Sequence, residues 1–512
     1  MNYLNYAIYL TIIFSFFISE NQSKKIAEDE EQLLFVYEHC RHGNRAPNDK
    51  KNGLYNKENK TDAYNVSWKN PGVLTESGKL QHFFLGLRNK YKYSKFINIA
   101  KYNKSEIIFR SSGAKRCTES LYYQILGMYF KEPSQKSKDK YSIKFDQDIY
   151  NYSMPPNFNN WKNKKEFSQL NNKIKNFLKN KKIDGLNLTS FNTESKKKYN
   201  IKFIKNDFMF VSQRCKNHER YIKKQRKKYK EIIKSNFIDN YSQQLKKVVN
   251  YSNDFETYFY KRSIAKSYAD HFISDYSNGR KELNIFSKKT GIDLEDYFQK
   301  CKNVYFFFMY NIYCYSKSCV LNASRFMKEI LDYFENAINY NKNKNKTKKI
   351  KDNKINKNIK MIIDLGHDVT VNSFHVFMNK TFNIDYTYCV FGCNIYFELY
   401  KIKKNKYSVK YYENDLLRLN IDYNEFKKKV SKLIWKDSEI EDFCKGDKEN
   451  IFNIHKEQDI IKKNNKKVNQ KKSKTSKTVI NKDKKKDNIT KKNIIKKNKK
   501  KKIKYSSNDA DL

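Results

Sequence analysis

Two arginines and a histidine stand together directly after a run of apolar residues near the start of the chain. The apolar run is Leu33-Leu-Phe-Val-Tyr37, and the charged cluster is Arg41-His42-Gly43-Asn44-Arg45. The run predicts a buried strand, and the glycine predicts a turn at its end. Arginine side chains match the oxygens of a phosphate group, and an unprotonated histidine nitrogen is able to attack its phosphorus. The cluster therefore predicts a site for a phosphate-bearing anion.

Two later apolar segments also end in polar residues. Residues 106–110 predict a short strand that ends at Arg110, and residues 361–368 predict another that ends at His367 and Asp368. Taken singly, Arg110 is interpreted more simply as a solvated strand end, and His367-Asp368 as a helix cap. In a doubly wound sheet, however, ligands bind outside the carboxyl ends of the strands, beside the positive ends of helices. We therefore expect the three strand ends to form one anion site.

The elements around these strand ends predict an α/β fold, a doubly wound sheet flanked by helices. Apolar residues recur at helical spacing after each of the first two strands, and residues 388–412 alternate enough to supply further strands. Residues 131–340 are mostly polar with helical patches, which predicts a mainly helical cap insertion. The predicted α/β domain, which carries the anion site, then comprises residues 30–130 and 360–445.

Three segments are predicted to lie outside these domains. Residues 1–22 contain an apolar stretch, residues 6–18, that is too short to span a membrane comfortably and is typical of a signal peptide. The net charge of +51 is concentrated in two tracts, with 21 lysines in residues 461–504 and nine in residues 341–360. We interpret residues 446–512 as a disordered Lys-rich tail and residues 341–359 as a Lys/Asn-rich surface loop.

The charge distribution and the hydropathy also limit the partners. The lysine run of the tail lacks interleaved aromatic residues, so nucleic acid is not expected as a partner, although salt-dependent binding by the isolated tail would revive that interpretation. No later apolar run is long enough to predict a membrane span in the mature chain. We expect the secretory pathway, with either secretion or a lysosome-like compartment as the destination.

These motifs occur in the order of a known family. The segment from Arg41 to Pro47 resembles the signature of the histidine acid phosphatases, the lysosomal and prostatic type within the phosphoglycerate-mutase-like superfamily. Three further motifs resemble that family: Leu74-Thr75-Glu-Ser-Gly78 with Gln81, Arg110-Ser111-Ser112 followed by Arg116 and Ser120, and His367-Asp368. Gly113 stands where the family commonly has aspartate, which puts the support of the arginines in question.

The resemblance implies an acid phosphatase that hydrolyses small phosphate monoesters in two steps. His42 would attack phosphorus to form a phosphohistidine, and Asp368 would protonate the leaving oxygen and later assist water. The phosphate oxygens would be held by Arg41, Arg45, Arg110 and His367. No metal or other cofactor is implied, and activity is expected to favour acid pH. The resemblance leaves a homodimer open.

The remaining cysteines and histidines are given structural roles. In a secreted chain, nine cysteines predict a disulfide framework, and we interpret Cys40 and Cys117 as small buried residues. The resemblance implies the pairs Cys215–Cys444 and Cys314–Cys393. His39, His82 and His375 are interpreted as core or structural histidines.

Two alternatives remain open. The first keeps the fold but changes the substrate to an inositol polyphosphate, as in phytases, because the insertion that would build the substrate pocket resembles the family only loosely. Asp368 leans toward the general acid phosphatases, since some inositol polyphosphate phosphatases carry a His-Ala-Glu type of motif instead. The second is a catalytically degenerate secreted binding protein. The intact site residues argue against this alternative.

Overall fold

A mixed seven-stranded sheet forms the centre of the protein. The computed structural model describes residues 31–48, 71–129, 199–204, 226–246, 262–278, 282–313, 316–343, 359–386, 389–403 and 405–445, with Glu256 and Tyr260. The strand order is β3-β2-β4-β1-β5-β6-β7. The parallel half contains β1 (Gln32–Arg41), β2 (Ile107–Ser111), β3 (Lys202–Phe203) and β4 (Met361–Gly366). The antiparallel half contains β5 (Asn394–Lys403), β6 (Lys406–Glu413) and β7 (Leu416–Asp422).

Helices cover both faces of this sheet, which confirms the predicted α/β class. One face packs on α1 (Glu76–Tyr93) and α2 (Lys115–Met128), whose buried apolar residues join those of β2 and β4 in one core. The other face packs on α8 (Ser316–Asn343), α9 (Asp368–Phe382) and α10 (Tyr423–Ser431). The next helix along the chain is α11 (Asp437–Lys445). Apolar burial on both faces explains why β1 and β4 have continuous rather than alternating hydrophobic sequences.

A group of helices from the predicted insertion forms a separate core, and we call it the helical layer. It comprises α3 (Arg226–Ile233), which continues through a π-helical turn (Lys234–Ile238) into α4 (Asp239–Lys246), then α5 (Arg262–Ser277), α6 (Glu282–Thr290) and α7 (Leu294–Tyr313). Its core is rich in aromatic rings and also includes Val369 of α9 and Phe391 of the loop before β5. Those two residues connect the helical layer to the strand ends of the sheet.

The insertion also contributes directly to the sheet. β3 pairs with β2 at its edge, and α8 packs on β1 and α9 in the main core rather than in the helical layer. Residues 1–22 and 446–512, for which a signal peptide and a tail are predicted, lie outside the described residues. Of the predicted loop 341–359, residues 341–343 belong to α8 and residues 344–358 lie outside the described residues. Within the described residues, no helix has the length and apolar character needed to cross a membrane.

The disulfide pattern differs from the one implied by the resemblance. Cys393 bonds to Cys389, four residues earlier, so the implied pair Cys314–Cys393 is wrong. The reason is local, because the turn before β5 brings these two Cα atoms to 5.7 Å, within ordinary bonding range. Cys319 and Cys444 are also disulfide-bonded, while Cys215 lies outside the described residues and its pairing stays a prediction. Cys40 and Cys117 are buried free thiols, as predicted.

Candidate active site

The turn after β1 lies at the carboxyl edge of the parallel strands, next to the end of β4. Arg41 pairs with Gly366 across the two strands, and the backbone N–H of His42 donates to the Gly366 carbonyl at 3.1 Å. On the other side, the N–H of Arg41 donates to the Cys393 carbonyl at 2.9 Å. This backbone pairing fixes where the first charged cluster begins, and both Arg41 and His42 are almost fully buried.

The two nitrogens of the His42 imidazole differ, because one of them contacts a backbone carbonyl. Its Nδ1 lies 2.9 Å from the carbonyl oxygen of Gly43. A carbonyl only accepts hydrogen bonds, so Nδ1 carries the proton in the neutral ring and Nε2 keeps the lone pair. Burial lowers the pKa of His42 well below its usual value, and the positive charges of Arg116 and Arg41 lower it further. The ring is therefore neutral and keeps its lone pair on Nε2.

The guanidiniums of Arg41 and Arg45 are held by carboxylates and by one aromatic ring. Arg41 Nη2 lies 2.9 Å from Oδ2 of Asp368, and Arg45 forms a two-point pair with Asp270 of α5 at 2.7 and 3.2 Å. The Phe391 ring lies under both, with its centroid 4.1 Å from the Arg41 guanidinium carbon and 5.3 Å from that of Arg45. This contact is a cation–π interaction that orients both side chains.

Arg110 does not join this cluster, and its predicted phosphate-binding role is corrected here. Its guanidinium pairs with Asp364 of β4 and with Glu329 of α8, at four distances between 2.6 and 2.9 Å. The cause is strand alternation. Phe109 packs in the core of α1 and α2, and Ser111 Oγ lies 3.2 Å from Thr118 Oγ1 of α2, whereas Arg110 faces α8. Because Nε, Nη1 and Nη2 all donate to these two carboxylates, the Arg110 guanidinium is not positioned to bind a phosphate.

Arg116, rather than Arg110, is the third arginine near His367 and Arg45. It lies in the first turn of α2, with Nη2 3.4 Å from Nδ1 of His367. Burial lowers the pKa of Arg116, and the neighbouring positive charge of Arg45 lowers it further. Nε of Arg116 and Nε of Arg45 are both buried without a hydrogen-bond partner among the described residues. Buried donors of this kind call for an acceptor, and an anion between the arginines would supply it.

His367 and Asp368 lie at the amino end of α9, and each has a defined environment. His367 Nε2 lies 3.0 Å from Ser112 Oγ, and the centroid of the His367 ring lies 5.6 Å from that of the His42 ring. Burial lowers the pKa of His367 to about 3, and the positive charge of Arg116 contributes to that shift. Burial alone would raise the pKa of Asp368, but the electrostatic interactions with Arg41, His367 and Arg45, together with the hydrogen bond from the Val369 N–H, outweigh burial and hold the pKa below its usual value. The carboxyl is therefore ionised at neutral pH.

The helical layer adds two residues that the sequence analysis did not identify. Asp270 of α5 pairs with Arg45, and the hydroxyl of Tyr305 in α7 donates to Oδ2 of Asp368 at 3.3 Å. Phe391, in the loop closed by the Cys389–Cys393 disulfide, is the third contributor that was missed. None of these three residues belongs to a motif. Arg116 did carry a sequence signal, because it belongs to the motif that begins at Arg110 and lies at a helix start after a strand end.

The three histidines that were interpreted as structural from the sequence have structural partners. His39 Nε2 lies 2.7 Å from Thr370 Oγ1, His82 Nε2 lies 3.2 Å from the Arg41 carbonyl, and His375 Nε2 lies 3.6 Å from Glu413. In the part of the chain that the structure describes, no group of three or more His, Cys, Asp or Glu side chains is arranged to hold a metal ion.

A protein-family model and several solved structures match this chain. The model of the histidine phosphatase superfamily, branch 2, matches residues 32–414. A phytase from Citrobacter braakii is 10% identical, with 79% of this chain and 98% of that chain covered and a TM-score of 0.47. Hafnia alvei phytase in complex with myo-inositol hexakis sulphate is 10% identical, with 79% and 98% covered and a TM-score of 0.46.

A multiple inositol polyphosphate phosphatase from Bifidobacterium longum, in complex with inositol hexasulfate, is 13% identical, with 76% and 87% covered and a TM-score of 0.43. No curated protein matches the sequence. The family model spans most of the chain, from β1 to the turn after β6, and includes every residue of the cluster. The chain therefore belongs to branch 2 of the histidine phosphatase superfamily.

Proposed function

We propose that this protein is an acid phosphatase that hydrolyses phosphate monoesters through a phosphohistidine at His42. The observation that carries the proposal is the hydrogen bond from His42 Nδ1 to the Gly43 carbonyl, which leaves the lone pair on Nε2. A neutral nucleophilic imidazole surrounded by three guanidiniums suits attack on a phosphorus atom whose oxygens those guanidiniums bind. Arg41, Arg45, Arg116 and His367 are the proposed phosphate-binding groups.

The first step forms a bond from His42 Nε2 to phosphorus as the bond from phosphorus to the ester oxygen breaks. The proton on the Asp368 carboxyl passes to that leaving oxygen, so the alcohol departs neutral. In the second step the Asp368 carboxylate takes a proton from water, whose oxygen attacks phosphorus. The Nε2–phosphorus bond then breaks, which releases inorganic phosphate and restores both residues. The transition-state charge on the equatorial oxygens is offset by the guanidiniums.

This sequence of steps requires Asp368 to gain a proton before the alcohol leaves. In the empty site Arg41 and other cationic groups hold the pKa of Asp368 low. A bound phosphate dianion offsets those charges and draws Arg41 donors away from the carboxylate, which raises the pKa of Asp368. Binding and protonation are therefore coupled, and turnover is favoured at acid pH.

Inositol polyphosphates remain the alternative substrate class. The cluster would bind a phosphoryl group whatever alcohol carries it, because its partners are the phosphate oxygens alone. A phosphatase with a small-molecule substrate is common to both proposals. Retention of His42, Asp368 and three guanidiniums in one site argues against a degenerate binding protein.

We also propose that the protein works in the secretory pathway, either secreted or in a lysosome-like compartment. The predicted signal peptide at residues 1–22 and the disulfide between Cys389 and Cys393 support this, since disulfides persist in oxidising compartments. Protease protection of the expressed protein in a microsomal fraction would test it, and a wholly cytosolic protein would contradict it.

The test of the activity is an assay of the purified protein with chelator present, from acid to mildly alkaline pH. The substrates are an aryl phosphate, an alkyl phosphate and inositol hexakisphosphate, and a His42→Ala variant is the control. We expect chelator-resistant, acid-favoured turnover, an acid-labile phosphohistidine after rapid quenching, and loss of both in the variant. Full activity of His42→Ala or strict metal dependence would overturn the proposal, and the preferred substrate decides between the two classes.

A further inference from the structure

Tyr305 connects the helical layer to the proposed proton donor. It lies in α7, is 2% exposed and belongs to the aromatic core that also includes Val369 and Phe391. Its hydroxyl donates to Oδ2 of Asp368 at 3.3 Å. A phenol hydroxyl in an apolar core normally finds a hydrogen-bond partner, and here that partner is a reacting group rather than a structural one.

The contacts of Asp368 show what Tyr305 is able to do. Oδ1 accepts the N–H of Val369 at 2.9 Å, while Oδ2 lies 2.9 Å from Arg41 Nη2 and also accepts from Tyr305. A phosphate that drew the Arg41 donors toward its own oxygens would leave the Tyr305 hydroxyl as the side-chain donor on Oδ2. The charged and titratable groups that face Asp368 are Arg41, Arg45, Arg116, Cys117, His367 and Tyr305.

We propose that Tyr305 is a positioning residue that holds the Asp368 carboxyl for proton delivery to the leaving alcohol and sets the pH range in which delivery occurs. The inference rests on the proposed phosphatase activity. It follows that the helical layer takes part in the departure of the leaving group. A hydrogen bond donated to a carboxylate favours its ionised form, so Tyr305 keeps Asp368 ionised to lower pH than Arg41 alone would.

The test compares Tyr305→Phe with Tyr297→Phe, a matched control from the same helix. Tyr297 is 1% exposed in the same core, and its hydroxyl is bonded to Cys301 instead of a site residue. We compare kcat/KM, because it reports the first step alone, whereas the second step is the same for every substrate. For an alkyl phosphate, whose leaving oxygen needs a proton, we expect Tyr305→Phe to lower kcat/KM about tenfold. For a nitrophenyl phosphate, whose leaving group departs as an anion, we expect less than about a twofold change in kcat/KM.

Two further readouts separate positioning from mere packing. The alkaline limb of the kcat profile should move to higher pH in Tyr305→Phe and stay in place in Tyr297→Phe. In an Asp368→Asn background, Tyr305→Phe should have no additional effect, because it acts through the carboxyl. An unchanged inhibition constant for inorganic phosphate confirms that the variant is folded with its anion site intact.

Equal effects of Tyr305→Phe on both substrates, an unmoved pH profile or full additivity with Asp368→Asn would each overturn the inference. These outcomes are distinct from failure of the proposed function. Failure of the proposed phosphohistidine mechanism would appear as full activity in His42→Ala, whatever the effect of Tyr305→Phe. Failure of the Tyr305 inference alone would appear in a protein whose activity still depends on His42.

Discussion

Arg110 donates from Nε and Nη2 to the two carboxylate oxygens of Asp364, each at 2.7 Å. The same guanidinium reaches Glu329 of α8, so one side chain joins β2, β4 and the helix that covers them. Asp364 is fully buried and also accepts from the Tyr37 hydroxyl at 2.7 Å. Arg110 is therefore a structural ion-pair centre, and the third guanidinium of the proposed active site is that of Arg116.

Alanine variants of the two arginines should consequently behave in opposite ways. Arg116→Ala removes a donor from the phosphate and is expected to lower kcat/KM about a hundredfold or more, with little change in Tm. Arg110→Ala leaves the buried Asp364 carboxylate without its cation and is expected to cost about 3 kcal/mol or more of stability. Its folded fraction should keep nearly normal kcat. Steady-state kinetics and thermal unfolding of both variants check this.

The reverse pattern, an inactive but stable Arg110→Ala beside an active Arg116→Ala, would restore the original assignment. Arg325→Ala is a suitable control, because Arg325 forms an ion pair with the largely exposed side chain of Asp437, away from the strand ends. It should alter neither activity nor stability by more than about 1 kcal/mol.

The sequence predicted the sheet and the strand-end location because both depend on local patterns. Apolar runs that end in polar residues identified β1, β2 and β4, and parallel strands of one sheet share a carboxyl edge. The choice between Arg110 and Arg116 depends on which face of β2 meets the site, and alternation along a strand does not say which face that is. Asp270 and Tyr305 come from distant helices, so no spacing relates them to the motifs.

Anion binding should be accompanied by proton uptake. In the free protein the pKa of Asp368 is held low by Arg41 and other nearby cations, and that of His367 is lowered to about 3 by burial and Arg116. A bound dianion offsets the arginine charges and raises both values, so at mildly acid pH these groups take up protons. Sulfate is the proper ligand for the measurement, because it carries no proton of its own in this range.

Calorimetry in two buffers of different ionisation enthalpy measures the number of protons taken up. We expect a positive number in the native protein that decreases in Asp368→Asn, with the remainder assigned to His367. A binding enthalpy that does not depend on the buffer would contradict the coupling, and with it the proposed origin of the acid optimum.

The ion pair between Arg45 and Asp270 should make stability depend on pH in a defined range. Burial alone would raise the pKa of Asp270, but the charge and hydrogen bonds of Arg45, together with the Asn48 N–H and the nearby His271, outweigh burial and lower the pKa to about 2, from an ordinary value of 3.8. Because the folded value is the lower one, the stabilisation is complete above about pH 4 and is lost as the pH falls toward 2. The difference corresponds to roughly 2 kcal/mol.

Urea unfolding of the native protein and of Asp270→Asn across this range checks the sign. Asparagine leaves Arg45 buried without its counter-charge, so the variant should be less stable at neutral pH by about 3 kcal/mol. The gap between the two proteins should then narrow by roughly 2 kcal/mol as the pH falls from about 4 to about 2. A gap that stays constant or widens would show that Asp270 does not titrate as its contacts require.

Glycine at position 78 is required by the way α1 approaches the turn after β1. A Cβ on Gly78 would lie 2.7 Å from the backbone nitrogen of Asn44 and closer still to its carbonyl oxygen, and these are backbone atoms that cannot turn aside. Asn44 also donates its N–H to Gln81 of α1 at 2.8 Å, so the helix and the turn are fixed to each other at this point. Alanine would therefore push the turn away and displace Arg45, the next residue.

Gly78→Ala is expected to cost about 1 to 3 kcal/mol of stability and, through Arg45, to raise KM for phosphate esters. The matched control is Gly113→Ala, because a Cβ on Gly113 has no atom within 4 Å. Gly113→Asp, which introduces the residue common in the family, should likewise leave stability within about 0.5 kcal/mol of the native value. The position of Arg116 is set by the first turn of α2 and by its contact with His367, so neither change at position 113 should lower kcat. A large loss of activity in Gly113→Ala would show instead that the turn at position 113 holds Arg116.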